Sequence, residues 1–299
     1  MAGFTLGFIG FGEVAFHIAK GLTSAGLSGI QAFDVMTQDP KIGPLVRERA
    51  NAAGVGLVDS LALLFSSCDT VLCATSAKYA LAIGIEASQL LRPDTLYADL
   101  NSASPGTKIK LSRAIDEAGG CFVDAAVMEL VPPHGHKVPM AVSGSGAKEF
   151  AGRLSPYGMK ISFISEAAGA SSSLKMMRSI FMKGLTALLL ETLTAGRKAG
   201  VDAQIMESIS GTLDSRPIAE TARLLVTRTA IAAERRVAEM GEVLDTLEEM
   251  GLDASSSQAT KAKLQWLADF NLRSEFGSTP PETVAAVLDA ILDRSTPKL

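Results

Sequence analysis

Cysteine is scarce in this chain. Cys68, Cys73 and Cys121 are its three cysteines; all lie in apolar stretches, with no Cys-x-x-Cys pair and no Cys/His cluster. That argues against structural zinc and predicts reduced, buried thiols in a cytoplasmic protein. Histidine is equally sparse. Two of the three histidines, His134 and His136, share a proline-containing segment at a spacing that suits neither a helical metal pair nor an evident third ligand. They read as exposed loop side chains, with a part in a substrate lid as the second reading. No apolar run approaches membrane-spanning length, and no basic stretch precedes the first apolar segment, so a soluble, unexported protein is expected. Charge of one sign is lacking too: 28 basic against 32 acidic residues are interspersed, for a net charge of −4, so nothing forms the basic field that a nucleic acid partner requires. No internal repeat is visible. What remains is 47% hydrophobic sequence over 299 residues, enough core for one large or two ordinary domains.

The most informative stretch opens the chain. An apolar run reaches Gly10, and beyond Gly12 the residues Val14, Ile18, Ala19 and Leu22 fall at helical spacing, which predicts strand, tight turn and helix. Gly10-Phe11-Gly12-Glu13-Val14-Ala15 is a G-x-G-x-x-A turn. Gly10 permits the turn, Gly12 lets the main chain approach a pyrophosphate, and Ala15 keeps the helix close to its strand, with the free N–H groups of the helix start facing the phosphates. The strand-like Ile30-Gln31-Ala32-Phe33 then delivers Asp34, 22 residues past Gly12 and near the roughly 20-residue spacing at which an acid meets the adenosine ribose. Because that carboxylate repels a 2′-phosphate, NAD is expected over NADP, although Lys41 downstream keeps NADP open.

Helix Pro40–Ala52, a short strand at Gly54–Val58 and a Ser60-capped helix from Leu61 follow. Asp69–Thr75 then reads as a buried strand, and continuous apolar strands alternating with helices imply a parallel sheet. Ligands sit at the carboxyl ends of such strands. Thr75, Ser76 and Lys78 therefore stand at the cofactor edge, unless Ser76 simply caps a helix start; both readings stay open, and a helix is expected over Ala80–Leu91. The strand Thr95–Leu100 delivers Asn101-Ser102-Ala103-Ser104-Pro105. Small polar side chains there can bond a polar substrate or the nicotinamide amide; Asn101 is assigned to the cofactor and Ser102 is the better candidate for ligand contact, while Ser104-Pro105 has the form of a helix start. Cys121–Val127 is a further strand, Met128–Pro139 a loop and Met140–Ser143 a strand.

From Gly169 the character changes. Ala170–Ala199 holds no proline and predicts one helix of about 45 Å, whose middle, Ile180–Leu190, is apolar on most sides and is expected to be buried. Ser171, Lys175, Arg178 and Ser179 share one face near its start. With no acid among their immediate sequence neighbours, the arginine would lower the lysine pKa and suit Lys175 to proton transfer, while the arginine fork suits an anionic group. Periodicity alone also allows a solvated face. Beyond lie helices from Asp202, after Pro217, from Ala232 to Met250, from Asp253 to Phe270 and from Pro280 to Arg294, with Ser295–Leu299 expected to fray.

Taken in order, Gly10-x-Gly12-x-x-Ala15, Asn101-Ser102-x-Ser104-Pro105, Asp124-Ala125-Ala126-Val127 and Gly169-x-x-x-x-x-Lys175 resemble the β-hydroxyacid dehydrogenase superfamily, which includes 3-hydroxyisobutyrate and 6-phosphogluconate dehydrogenases. The resemblance covers most of the first two hundred residues. It implies an α/β fold: a Rossmann domain over residues 1–168 and an all-helical domain over 169–299, which often forms the dimer, with the active site in the cleft between them. It further implies an NAD(P)-dependent dehydrogenase of a small anionic hydroxy acid and a homodimer or higher homo-oligomer. Lys175 matches the family's acid/base and Ser102 its substrate serine. Main-chain donors at Val127, Met128 and Glu129, and the Arg178 side chain, would complete the substrate site. Two departures put the substrate in doubt: Met128-Glu129-Leu130 stands where the family has serine and glycines, and Arg178 where it has asparagine. Two rivals remain: an NADPH-dependent imine reductase on the same fold, and an NAD-binding sensor without chemistry.

Overall fold

The computed structural model describes residues 4–295, and the end of the tail expected to fray lies outside them. Eight strands form one sheet: β1 (Leu6–Ile9), β2 (Gln31–Phe33), β3 (Gly56–Leu57), β4 (Thr70–Cys73), β5 (Leu96–Asp99), β6 (Cys121–Val127), β7 (Met140–Ser143) and β8 (Ile161–Ser165). Their order is β3-β2-β1-β4-β5-β6-β7-β8. Pairing is parallel except between β6 and β7, so the parallel sheet read from the sequence carries an antiparallel turn near one edge. The chain leaves β1 on one side to build β2 and β3, then returns to lay β4 on the other. That reversal opens a crevice at the carboxyl ends of β1 and β4, where doubly wound sheets take their ligands.

Helices α1 (Glu13–Ser24), α2 (Gly43–Ala53), α3 (Leu61–Ser67), α4 (Ala80–Ser88), α5 (Pro105–Glu117), α6 (Val131–His134) and α7 (Ala147–Leu154) accompany the sheet. Both sheet faces are buried: Leu6 and Phe8 join one core with Ile18, Leu22 and Val123, while Ile9 joins the other with Leu64, Val71 and Phe122. This is why the strands read as continuous apolar runs. Local capping sets the helix starts. Ser60 Oγ accepts from Leu63 N at 3.2 Å, and Ser104 Oγ from Thr107 N at the same distance, with Pro105 in the first turn.

Several expectations need correction. Ser76 caps no helix; it lies in a turn closed by Tyr79 N and its own carbonyl, and α4 begins at Ala80 as expected but ends at Ser88 rather than Leu91. The Met128–Pro139 loop contains α6 and a 3-10 turn, Gly135–Lys137, because Pro132 and Pro133 sit where a helical first turn needs no donor. β8 escapes sequence reading, since as an edge strand it is only partly buried.

The chain forms two compact units that divide between Ile180 and Phe181. This division falls inside helix α8 (Ala170–Ala199), whose start had suggested a boundary at 168/169. The second unit is helical, with α9 (Asp202–Leu213), α10 (Ile218–Glu249), α11 (Ser255–Ala268), α12 (Arg273–Phe276) and α13 (Val284–Ser295). α10 merges two expected helices through a non-helical residue, Ala232. Glu191 caps α11, accepting from Ser256 N at 2.8 Å and Ser257 N at 2.9 Å. The middle of α8 is not buried as expected: Ile180 is 69%, Phe181 55% and Leu190 65% exposed. Apolar periodicity marks a surface that avoids water without saying which chain covers it. No helix among the described residues is long and apolar enough to cross a membrane.

Candidate active site

The glycine turn behaves differently at its two glycines. Gly10 has φ +80, and a Cβ there would lie 2.6 Å from Thr75 Cγ2 and 2.8 Å from the Ala74 carbonyl oxygen. Backbone and neighbours both demand glycine. Gly12, at the start of α1, has φ −74, which any residue adopts, and a Cβ there would meet nothing within 4 Å. Nothing in the protein requires glycine at that position, and the open space above it is what close approach of a pyrophosphate needs. Beside it, Glu13 and Val14 begin α1, whose first N–H groups have no acceptor within the helix. Phe11 is wholly buried against Phe8, and its N–H donates to Asp34 Oδ2 at 2.6 Å. Asp34 Oδ1 accepts from Met36 N at 2.8 Å. A carboxylate has about four acceptor positions, so two remain for ribose hydroxyls. On these grounds the turn, the helix start and Asp34 fit a nicotinamide dinucleotide.

Strand register builds the rest of the edge. Across the sheet, Ile9 pairs with Cys73, Cys73 with Asp99, Asp99 with Asp124 and Asp124 with Ser143, so these residues form one row that lies at the carboxyl ends of β1, β4 and β5. Asn101 Oδ1 accepts from Thr75 N at 2.9 Å, and Asn101 Nδ2 donates to Asp99 Oδ1. The predicted cofactor residues Gly10, Thr75 and Asn101 are therefore contiguous, while Ser76 projects to solvent without a part in this network.

Helix α8 brings its lysine to this edge. Lys175 Nζ donates to Ser102 Oγ at 2.8 Å. One turn further, Arg178 donates to the Met128 carbonyl at 3.1 Å and to Glu129 Oε1 at 2.9 Å. The acid absent from the sequence neighbourhood of Lys175 and Arg178 is thus supplied from the segment after β6, and the arginine is not the uncompensated charge that its sequence neighbours suggested. Its fork holds the segment that differs from the family pattern. Val127 is buried in the β6–β7 pairing opposite Met140.

Lys108 of α5 is fully buried, with its Nζ 2.7 Å from Asp99 Oδ2, 3.2 Å from Asp124 Oδ1 and 2.7 Å from the Asp99 carbonyl oxygen. A lysine on a helix ordinarily reads as solvated; the available signal was an acid in each of two otherwise apolar strands, Asp99 at the end of β5 and Asp124 in the middle of β6. The cysteines are plain thiols. Burial pushes Cys68 and Cys73 up to about 11, and raises the half-buried Cys121 as well. His134 is exposed, but His136 is half-buried on Gly21 of α1, where burial lowers its pKa. No group of three His, Cys, Asp or Glu residues able to hold a metal occurs among the described residues.

Comparison with known proteins agrees with this architecture. Residues 197–267 match the domain of unknown function DUF1932. A conserved hypothetical protein from Sinorhizobium meliloti 1021 is 34% identical over 97% of this chain and 96% of its own, with a TM-score of 0.63. The conserved protein MTH1747, described as structurally similar to 3-hydroxyacid dehydrogenases, is 33% identical over 89% of this chain and 97% of its own, with a TM-score of 0.60. The fold alone is shared with an imine reductase variant from Myxococcus stipitatus, solved with NAD+, at 17% identity, 97% and 100% coverage and a TM-score of 0.74. The chain belongs to the 3-hydroxyacid dehydrogenase-like family, as a divergent member of the β-hydroxyacid dehydrogenase superfamily.

Proposed function

We propose that this protein is an NAD-dependent oxidoreductase acting on a small anionic hydroxy acid, with Lys175 as general acid and base. The observation that carries the reading is the Lys175 Nζ to Ser102 Oγ hydrogen bond of 2.8 Å, at the sheet edge shared with Gly10, Thr75 and Asn101. The nicotinamide, when bound, supplies the hydride chemistry. Gly12 and the start of α1 hold its pyrophosphate, and Asp34 accepts from the ribose hydroxyls and favours NAD over NADP. Ser102 orients the substrate hydroxyl. Neutral Lys175 removes the hydroxyl proton during oxidation, and its ammonium returns a proton during reduction. Arg178 receives the substrate's anionic group, which must share the guanidinium with Glu129 or displace it. Because that pair is close to half exposed on both sides, it costs little to open.

The apolar middle of α8 suits a second copy of the chain as its cover, making the working species a homodimer or higher homo-oligomer. Free thiols, two of them buried, accord with a cytoplasmic location. Imine reduction is the second reading, favoured by the fold shared with imine reductases; it predicts turnover of cyclic imines with NADPH.

Lys175→Ala tests the principal reading. Turnover of hydroxy acids identified by screening with NAD is expected to fall by about 10²–10⁴, the range of general acid/base catalysis, with cofactor binding unchanged. A fall below about tenfold would exclude Lys175 from that role.

A further inference from the structure

We infer that the buried triad Asp99–Lys108–Asp124 is a positioning strut that sets Lys175 against Ser102. The role rests on the reading of Lys175 and Ser102 given above, but the contacts themselves do not.

All three side chains are fully excluded from water. Removing charges from water costs several kcal/mol each, and a buried ion cluster is seldom a net source of stability. What it supplies is geometry. Asp99 ends β5, and its Oδ1 accepts from Asn101 Nδ2, so it grips the turn that presents Ser102. Asp124 on β6 grips α8: its Oδ2 accepts from Ser172 N at 2.9 Å and its Oδ1 from Ser172 Oγ at 2.7 Å. Ser143, next in the row, accepts from Ser171 N at 3.0 Å. Lys108 bridges the two carboxylates.

Two carboxylates and one ammonium leave one negative charge. The N-terminus of α8 answers it, since free N–H groups and the positive end of the helix dipole point at Asp124. The start of the lysine helix is therefore part of the charge balance of the strut. Lys175 lies three residues beyond Ser172, on the same helix face. Any rotation or slide of α8 that moved Lys175 from Ser102 would have to break the Asp124–Ser172 bonds and leave a buried charge short of partners. Through Asn101 the same hydrogen-bond network reaches Thr75, whose side chain lies against Gly10.

Lys108→Met would leave two carboxylates facing each other in the dry interior and puts folding at risk, so Ser172→Ala is the primary variant. It removes the Ser172 Oγ bond to Asp124 and keeps the backbone bond. The readout is modification of Lys175 by trinitrobenzenesulfonate, followed by peptide mass spectrometry from about pH 7 to 10, with Lys148 as the internal control. Ser172→Ala is expected to accelerate Lys175 modification about fivefold, the scale of one lost hydrogen bond, and to move its pH midpoint, with Lys148 unchanged. Ser172→Thr, which retains the hydroxyl, restores both; Asp124→Asn acts in the same direction as Ser172→Ala. An unchanged Lys175 rate and midpoint in Ser172→Ala overturns the strut, as does failure of Ser172→Thr to restore them. The readout needs no substrate. If Lys175→Ala leaves turnover intact while Ser172→Ala alters the lysine's chemistry, the acid/base reading fails and the strut stands.

Discussion

Replacing each glycine of the turn by alanine separates what the protein needs from what its ligand needs. At Gly10 an alanine must adopt φ +80 and place Cβ 2.6 Å from Thr75 Cγ2 and 2.8 Å from the Ala74 carbonyl oxygen. Left-handed backbone costs an L-residue roughly 1–2 kcal/mol, and overpacking against a fixed main chain adds about 1–3. Gly10→Ala should therefore lose roughly 2–5 kcal/mol of stability. At Gly12 the backbone is ordinary, with φ −74, and the new Cβ meets no protein atom within 4 Å. Gly12→Ala should keep its stability to within about 1 kcal/mol, the scale of a helix-start residue. Its Cβ instead occupies the space assigned to the pyrophosphate, so NADH affinity should fall at least about tenfold, or about 1.4 kcal/mol. Urea denaturation reads the first quantity and nicotinamide fluorescence titration the second. A Gly12→Ala protein that binds NADH as tightly as the wild type would refute the placement of the cofactor, whatever Gly10→Ala does.

Asp34→Ala removes the acceptor for Phe11 N and Met36 N; about 1–3 kcal/mol of stability should go with it, and parallel titrations with NADH and NADPH should show the preference for NADH lost. A retained preference would place the discrimination elsewhere. Introducing charge on α8 with Phe181→Glu and Leu190→Glu should convert a dimer to monomers in sedimentation velocity, whereas a monomeric wild type would rule out the proposed cover. The Cys73 thiol, ordinarily ionising near 9.0, is held up to about 11, so the unfolded chain loses that proton first and native stability falls as pH rises from 9 to 11. In Cys73→Ala the urea midpoint should decline less steeply over that interval, and an identical decline would remove the thiol from the account.

Much of this protein was decided locally and is therefore written in its sequence. Gly10, Gly12 and Ala15 define a turn because backbone sterics and helix-start chemistry act within a few residues. Ser104-Pro105 opens α5, and Cys121–Val127 and Ala170–Ala199 were read with their observed limits, because capping and unbroken apolar runs need no distant partner. Tertiary structure decided whatever depended on who lies opposite whom. Ser76 has the chemistry of a cap, yet the chain turns before its helix begins. Arg178 has no acid nearby in sequence and meets Glu129 across 49 residues. Lys108 sits in a helix of which the sequence marks only the start, and only the register of β5 and β6 brings Asp99 and Asp124 together beneath it. Ile180 and Phe181 show the converse: their sequence demands burial, which the single chain does not provide. Charge pairing and burial are properties of surfaces brought together by folding, whereas turns, caps and periodicity belong to the chain itself.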